Sequence, residues 1–255
     1  MSAPPGYSRV RAPGRATLVA RTTHLEAVRD AMDGGTLYEY ASHHAEARAI
    51  AGRSVVYAVP LPDGETRVVV RHSRHGGVLA ALTGDRFLAP TRAPHELACA
   101  LRLARRGVLT PEVIAYATHP AGPLLRRADV VTREVPNARD LDRALTDADD
   151  DGARRAMLDA AAELLRRLAA AGARHPDLNL KNILIAADDD GALEALVIDV
   201  DRVWFAAGSA AAVGDANFRR LARSARKRRR EHGTPIDERE LRALAAAAGA
   251  SFSSE

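Results

Sequence analysis

The chain has 255 residues, of which 47% are hydrophobic and 27% are charged, and its formal net charge at pH 7 is +4. This balance suits an ordinary globular protein with one two-lobed domain or two small domains. The single cysteine, Cys99, excludes an internal disulfide framework and suits a reducing compartment. No apolar run is long enough to span a membrane, and the N-terminus lacks the apolar core of a secretion signal, so we expect a cytoplasmic protein.

The first predicted elements are a flexible arm and a β-hairpin. Residues 1–14 are rich in proline, glycine and arginine, which is typical of a loose segment. Two β-rich runs, residues 54–60 and 66–72, flank the turn sequence Pro62-Asp63-Gly64-Glu65. This pattern predicts two adjacent antiparallel strands.

Beyond this hairpin the sequence is mainly helical. Hydrophobic periodicity and helix-stop signals predict helices over 94–106, 153–171, 215–231 and 237–248. Strands are predicted over 128–135, 183–186 and 193–198.

One short segment carries the strongest chemical signal. The run His175-Pro176-Asp177-Leu178-Asn179-Leu180-Lys181-Asn182 reads H-x-D-L-x-x-x-N, the spacing typical of the catalytic loop of protein-kinase-like phosphotransferases. Downstream, the apolar run Val197-Ile198 ends at Asp199. Asp177 can orient and deprotonate an acceptor hydroxyl, while Asn182 and Asp199 can offer oxygen ligands to Mg²⁺. We expect His175 to organise the loop backbone.

The order of elements around this loop predicts the fold. A β-rich first part, a connecting strand and a helix-rich remainder are typical of an α+β, protein-kinase-like bilobal fold. We expect a small β-rich N-lobe with one main helix over residues 15–136. A larger helical C-lobe over residues 137–248 would carry the catalytic loop and a basic helix. Residues 249–255 are predicted to fray.

The motif residues also resemble a known family. The catalytic loop, followed by V-I-D-V-D-R, resembles the lipopolysaccharide kinases of the Kdo (3-deoxy-D-manno-octulosonic acid) kinase and heptose kinase group, with the Kdo kinases the nearer likeness. Residues 71–77, R-H-S-R-H-G-G, are similar to the family's R-H-x-R-R-G-G element, and residues 132–138 are similar to its T-E-x-x-P-G-A segment. Val200 and Asn137 stand where the family has phenylalanine and glycine. The resemblance covers roughly residues 50–230.

The resemblance implies a function and assigns roles by position. It implies ATP with Mg²⁺, and phosphorylation of a sugar hydroxyl on a lipid-linked, anionic Kdo–lipid A acceptor of the lipopolysaccharide inner core. Asp177 would be the base, and Asn182 and Asp199 would be the metal ligands.

The nucleotide site implied by the resemblance departs from the kinase pattern. Arg71 ends the second hairpin strand, where kinase-like folds usually place a lysine on the α- and β-phosphates, and no lysine precedes Lys181. Arginine can clamp phosphate through two hydrogen bonds. Glu96 would pair with Arg71, although a first-turn glutamate is also favoured by the helix dipole. Gly52 is the only glycine of a sparse phosphate loop, Ala51-Gly52-Arg53-Ser54.

Several interpretations stay open at this point. The loop also suits a kinase of another small molecule or of a protein, and the missing lysine and sparse glycine loop suit a catalytically impaired, nucleotide-binding pseudokinase.

The segment from Arg219 to Arg230 has eight basic residues in twelve. It suits a solvated helix face or a patch for anionic lipid headgroups, which would place the protein peripherally on the cytoplasmic face of the inner membrane. Nucleic acid is disfavoured because base-reading companions are missing nearby. Trp204 is expected in the core rather than as a sugar-stacking platform.

Overall fold

The structure is a computed structural model that describes residues 2–50, 55–72, 87–88, 91–122, 125–188 and 190–252. The chain divides into two compact units. The first comprises Met1–Ala98 and Glu112–Glu134, and the second comprises Cys99–Pro111 and Val135–Glu255. The sequence predicts a continuous N-lobe over residues 15–136, whereas in the structure residues 99–111 belong to the second unit.

The first unit is built on one antiparallel sheet. Its strands are β1 (Tyr7–Ala12), β2 (Ala16–Arg21), β3 (Arg48–Ile50), β4 (Val56–Pro60), β5 (Arg67–His72), β6 (Phe87–Leu88), β7 (Val113–Pro120) and β8 (Leu125–Arg133). The order is β1-β2-β7-β8-β5-β4-β3, and β6 also pairs with β8. Helices α1 (Leu25–Asp30) and α2 (Leu37–His43) contribute to the same hydrophobic core.

The predicted hairpin is confirmed. Strands β4 and β5 pair antiparallel, with Tyr57 opposite Val70. Asp63 accepts hydrogen bonds from the backbone N–H groups of Glu65 and Thr66, and Gly64 adopts a φ of 74°. Aspartate followed by glycine favours this geometry because the carboxylate caps the turn and glycine tolerates positive φ. The hairpin brings Arg71 and His72 to the end of β5.

The prediction of a flexible arm over residues 1–14 is wrong for residues 7–12. These residues form β1, which pairs along its whole length with β2. The Tyr7 side chain is buried, and its hydroxyl donates a hydrogen bond to the carbonyl of Val113. The proline and glycine that suggested a loose segment instead form the tight connection Pro13–Arg15 between the two strands, where Gly14 has a φ of 65°.

The second unit is mainly helical. Its helices are α4 (Leu141–Thr146), α5 (Asp151–Ala170), α6 (Ala210–His232) and α7 (Glu238–Ala248), and helix α3 (Ala93–Ala104) crosses the boundary between the units. Short strands are β9 (Arg139–Asp140), β10 (Ala173–Arg174), β11 (Ile183–Ala187), β12 (Leu193–Val197) and β13 (Trp204–Phe205). Strands β12, β11 and β9 form one antiparallel sheet, and β10 pairs antiparallel with β13.

In the sequence, the motif loop lies between helix α5 and the β11–β12 hairpin. Asp150 caps the helix by accepting the N–H of Ala153, and the helix buries an apolar stripe that includes Leu158, Leu165 and Leu168. The predicted long helix and the two predicted strands over residues 183–186 and 193–198 are therefore confirmed. The predicted α+β fold class, with a sheet-rich and a helical part, is confirmed as well.

The prediction that residues 249–255 fray is wrong for residues 249–252; residues 253–255 lie outside the described residues. Gly249 caps helix α7 with a φ of 66°. The N–H of Ser251 donates to the carboxylate of Asp215, and the Phe252 ring lies 6.4 Å from that of Phe218. An aromatic residue near the chain end thus packs this segment onto helix α6.

Candidate active site

His175 organises the backbone of the motif loop. Its side chain is buried, its Nε2 lies 3.1 Å from the carbonyl oxygen of Ile198, and its Nδ1 accepts the N–H of Asp177 at 3.3 Å. Because a carbonyl oxygen only accepts, the ring proton is on Nε2. Burial lowers the pKa of His175, and this effect outweighs the hydrogen bond to Ile198 and the nearby carboxylates, which raise it. The ring is therefore held neutral, as a link between the loop and the segment that leads to Asp199.

Asn182 closes the loop on Asp177. Its Nδ2 donates to the backbone carbonyl of Asp177 at 2.9 Å, and Nδ2 of Asn179 donates to the same oxygen at 2.8 Å. The amino group of Asn182 is fixed in this way, and its amide oxygen, Oδ1, is left for another partner. Within the described part of the chain, no hydrogen bond to this oxygen is formed. A neutral oxygen ligand is thus oriented and available.

Asp199 is held in an unusual backbone conformation beside Asn182. Its φ of 61° and ψ of 44° lie in the left-handed region, which costs a non-glycine residue about 1 kcal/mol. The N–H of the preceding residue, Ile198, donates to the carbonyl of Asn182 at 3.0 Å, which ties the two segments together. The Asp199 side chain is exposed and forms no ion pair or hydrogen bond with any described residue.

The oxygens of Asn182 and Asp199 fit a hard divalent cation. Among the described residues, no cluster of three or more His, Cys, Asp and Glu side chains could hold a metal ion by itself. Mg²⁺ keeps several water molecules and is commonly bound through one or two protein oxygens together with substrate phosphates. A site with one carboxylate and one amide oxygen is of that kind.

Arg220 is a site residue that the sequence analysis missed. Its Nη2 donates to Oδ1 of Asp177 at 2.6 Å, and both side chains are partly exposed. The other carboxylate oxygen of Asp177 takes no hydrogen bond from the described residues. Arg220 lies within the basic run of helix α6, and a run of like charges gives no signal that one member turns toward a loop 43 residues away.

Asn217, one turn before Arg220, is a second missed residue. It is 1% exposed, its Oδ1 accepts the N–H of His175, and its Nδ2 donates to the carbonyl of Ala173. A signal exists in the sequence, because Asn217 stands among the apolar positions Val213 and Leu221 on one helix face. A polar residue on an apolar stripe indicates a buried hydrogen-bonding role.

Part of the basic segment is used inside the second unit. Arg226 and Arg229 both donate to the carboxylate of Glu238, and Arg228 donates to Asp142. Burial alone would raise the pKa of Asp142, but hydrogen bonds from Arg228 and Thr234 hold it below its ordinary value. These pairs fasten α6 to α4 and to the start of α7.

The remaining basic residues of this segment form an exposed stripe. It consists of Arg219, Arg223, Lys227 and Arg230, which recur every three or four residues and therefore lie along one side of helix α6. We refer to these four residues as the basic stripe.

No helix of the described residues is long and apolar enough to cross a membrane.

In the first unit, Arg71 forms the expected ion pair with Glu96. Arg71 lies at the end of β5 opposite Val130 of β8, and Glu96 lies in the first turn of helix α3 with 5% of its surface exposed. Gly52, the third residue expected at the nucleotide, lies outside the described residues. The pair presents a guanidinium that is held by a buried carboxylate.

A buried carboxylate next to this pair was not anticipated from the sequence. Asp129 is fully buried on β8, its Oδ1 lies 2.6 Å from Nδ1 of His72, and its Oδ2 lies 3.4 Å from Nε2 of His119. Burial would raise the pKa of Asp129, but the interactions with His119 and His72 hold it below its ordinary value. His72 follows Arg71 directly, so this cluster anchors the end of β5.

Trp204 does not lie in the core, contrary to the expectation from sequence. It is 45% exposed, and the guanidinium of Arg174 lies over its ring at 5.5 Å from the centroid. Two residues, Arg174 and Trp204, are directly opposite each other in the β10–β13 pair.

The sheet-rich unit has an ion-paired arginine at a strand end. The helical unit has an aspartate and an asparagine in one loop, and a second aspartate after the hairpin that follows. This order of elements and motif residues is that of a protein-kinase-like fold. The fold comparison agrees: the structure of WaaP in complex with acyl carrier protein superposes with a TM-score of 0.55 over 91% of this chain and 88% of that one, at 16% sequence identity.

Sequence comparison narrows this class to one family. The model of the lipopolysaccharide kinase (Kdo/WaaP) family matches residues 45–247, and the chain belongs to this family. It is 32% identical over 182 residues to a 3-deoxy-D-manno-octulosonic acid kinase of Vibrio cholerae serotype O1, covering 69% of this chain and 72% of the relative. A kinase of the same name from Xanthomonas oryzae pv. oryzae is 33% identical over 155 residues, 59% of this chain and 58% of the relative. The protein is thus a phosphotransferase of lipopolysaccharide synthesis that acts on a sugar hydroxyl.

Proposed function

We propose that the protein transfers the γ-phosphate of ATP to a hydroxyl of a Kdo sugar linked to lipid A. The names of the relatives support the acceptor, because they are 3-deoxy-D-manno-octulosonic acid kinases. The observation that carries the proposal is the pattern of hydrogen bonds to the Asp177 carboxylate. One of its oxygens is held by Arg220, and the other takes no hydrogen bond from the described residues.

In the proposed reaction Asp177 is the general base. The acceptor hydroxyl donates a hydrogen bond to the available oxygen of Asp177 and is thereby aligned with the γ-phosphorus. As its oxygen bonds to the phosphorus, the bond to the leaving ADP breaks and the hydroxyl proton passes to Asp177. Arg220 keeps the carboxylate from rotating, so that the same oxygen faces the acceptor in every turnover.

Asn182 and Asp199 are the proposed Mg²⁺ ligands. The amide of Asn182 is fixed through its Nδ2, and the left-handed backbone of Asp199 is bonded to the same loop through Ile198. When bound, the cation neutralises charge on the phosphates. The strain at Asp199 is consistent with this role, because unfavourable backbone conformations cluster where function requires them.

Arg71 is the proposed contact to the nucleotide phosphates, and Glu96 positions it. An arginine stays charged throughout the physiological pH range and can bind two phosphate oxygens at once. The ion pair with the buried Glu96 restricts the side chain before the nucleotide arrives. Gly52, which lies outside the described residues, is the third proposed contact to the nucleotide.

The experiment that tests this function uses acceptors that differ in one sugar. Purified protein is incubated with γ-labelled ATP, with and without Mg²⁺, and with Kdo–lipid A, lipid A that lacks Kdo, or a general protein substrate. We expect label in Kdo–lipid A alone, and only with Mg²⁺. Transfer to the protein substrate would favour the alternative protein kinase, and ATP binding without transfer to any acceptor would show a pseudokinase.

The basic stripe is the proposed contact to the cytoplasmic face of the inner membrane. Four exposed cations on one helix side complement anionic phospholipid headgroups, at about 1 kcal/mol for each residue near the surface. The arginines that pair with Asp177, Glu238 and Asp142 on the same helix are partly buried and are excluded from this contact by their partners. Lys227 also pairs with Glu231, at 3.8 Å, but both side chains are exposed, so this weak pair leaves Lys227 accessible to headgroups.

Sedimentation with vesicles tests the membrane contact. Wild-type protein should bind vesicles rich in phosphatidylglycerol, bind weakly to phosphatidylcholine, and dissociate as salt is raised. Changing all four stripe residues to glutamine should remove this binding. A charge-matched control changes four exposed arginines elsewhere, Arg11, Arg15, Arg29 and Arg105. Equal loss of binding in both variants would contradict a specific contact through the stripe.

A further inference from the structure

The short β10–β13 pair places an aromatic ring and a guanidinium beside the motif loop. Arg174 is the residue before His175, and Trp204 follows Asp199 by one short 3₁₀ turn and Val203. The two residues are direct partners across the pair. They therefore sit on the strands that enter and leave the proposed catalytic segments.

Trp204 is exposed although its neighbour on the same strand is covered. Successive side chains of a strand point to opposite faces. On one face, Phe205 carries the guanidinium of Arg102 at 3.8 Å from its ring centroid and that of Arg106 at 5.1 Å. On the other face, Trp204 keeps 45% of its surface exposed. Among the described residues, the large hydrophobic side chains that are exposed are Val55 and Trp204, and tryptophan is enriched at binding surfaces because its ring is apolar and its N–H is polar.

The partner of Trp204 adds charge recognition to this surface. Arg174 lies over the indole ring, 5.5 Å from its centroid, which holds the guanidinium in place. A restrained guanidinium can bind a carboxylate through two parallel hydrogen bonds. An aromatic face next to such a group complements a sugar ring that carries a carboxylate, since the C–H groups of the sugar pack on the ring and the acid pairs with the arginine.

We propose that Trp204 and Arg174 form the binding surface for the acidic sugar of the acceptor. This inference rests on the proposed function, and it assigns to these two residues the recognition of the sugar acid next to the hydroxyl that is phosphorylated. The basic stripe, in contrast, is proposed to contact phospholipid and not the reacting sugar.

Trp204 is the only tryptophan of the chain, so intrinsic fluorescence reports on this position directly. Kdo–lipid A is titrated into the protein in detergent micelles, with lipid A lacking Kdo as the matched control. We expect a saturable change in emission with Kdo–lipid A and a much smaller change with the control. The same response to both lipids would overturn the inference, because the change would then come from the lipid and not from the sugar acid.

Kinetics of three variants complete the test. Trp204→Ala and Arg174→Gln should each raise KM for Kdo–lipid A by about tenfold or more, with KM for ATP unchanged. Trp204→Phe keeps an aromatic face and should stay within about threefold of wild type. Thermal unfolding of each variant reports whether the protein is still folded.

The outcomes separate this inference from the proposed function. Phosphorylation of Kdo–lipid A with an unchanged acceptor KM in Trp204→Ala would overturn the inference and leave the function standing. A Kdo-dependent fluorescence change without phosphate transfer would support the binding surface and contradict the function. Neither fluorescence change nor transfer would overturn both.

Discussion

Arg220 on helix α6 and Asp177 in the H-x-D-L-x-x-x-N loop are joined by an ion pair of 2.6 Å to a single carboxylate oxygen. The pair fixes the carboxylate without using both of its oxygens. A base that must meet an acceptor hydroxyl at one angle benefits from such a contact, since small errors in alignment slow a transfer reaction strongly.

Replacing Arg220 by glutamine should lower kcat by about tenfold or more, because the Asp177 carboxylate is then free to rotate. KM for ATP should stay near its wild-type value. A half-exposed pair contributes at most about 1 kcal/mol to folding, so the unfolding free energy should change little. Arg239→Gln, an exposed arginine on helix α7 outside the basic stripe, is the control in the same kinetic assay. Equal loss of kcat in both variants would contradict a role for Arg220 at Asp177.

Replacing Glu96 by glutamine should weaken nucleotide binding, because Arg71 loses the charge that restrains it. We expect KM for ATP to rise by about tenfold, with a smaller effect on kcat. Arg71→Lys keeps the charge but loses the planar fork, and should give an intermediate KM. Glu65→Gln, an exposed change in the same unit, is the control. An ATP KM that is unaltered in the Glu96 variant would refute the assignment.

Replacing Asp199 by glycine should have opposite effects on stability and on activity. Glycine adopts the left-handed backbone without strain, so the unfolding free energy should rise by about 1 kcal/mol while Mg²⁺-dependent transfer is lost. Asp199→Asn, which also tolerates this conformation, should lose activity without the gain in stability. Urea unfolding and the transfer assay measure the two effects. A destabilised glycine variant would show that the left-handed conformation is not a source of strain.

The pH dependence of stability should report on His175. Its pKa is lowered in the folded state, so the unfolded chain binds this proton first as pH falls. Stability should therefore decline below about pH 6.5, by at most about 1.4 kcal/mol per pH unit for this group. Urea unfolding at pH 7.5 and pH 5.5 measures this effect. The decrease in the free energy of unfolding between the two pH values should be smaller in His175→Gln than in the wild type. A pH dependence in the His175 variant equal to that of the wild type would contradict the prediction.

Local patterns were sufficient for part of this fold. The β4–β5 hairpin follows from two β-branched runs around Asp63-Gly64, and helix α5 follows from its leucine spacing and its acidic cap. The chemistry of the loop from His175 to Asn182 is also local, because spacing alone brings its side chains together. Asn137 stands where the resembling family has glycine, and its φ of 54° is one that asparagine tolerates better than most residues.

Long-range contacts explain what the sequence did not predict. Strand β1 is stabilised by pairing with β2 and by the buried Tyr7, and neither is visible in its proline- and arginine-rich composition. Arg220 and Asp129 find partners 43 and 57 residues away, at Asp177 and His72. Trp204 is exposed because strand β13 turns Phe205, and not the indole, toward Arg102 and Arg106. Each of these depends on tertiary structure rather than on local pattern.

The most direct measurement of the central claim is a single-turnover transfer of label from ATP to Kdo–lipid A by wild-type protein and by Asp177→Asn. The asparagine keeps the size of the side chain and removes the proton acceptor. We predict that the variant binds ATP as wild type does and that its transfer rate falls by about a thousandfold or more. Transfer by Asp177→Asn at the wild-type rate would contradict the account.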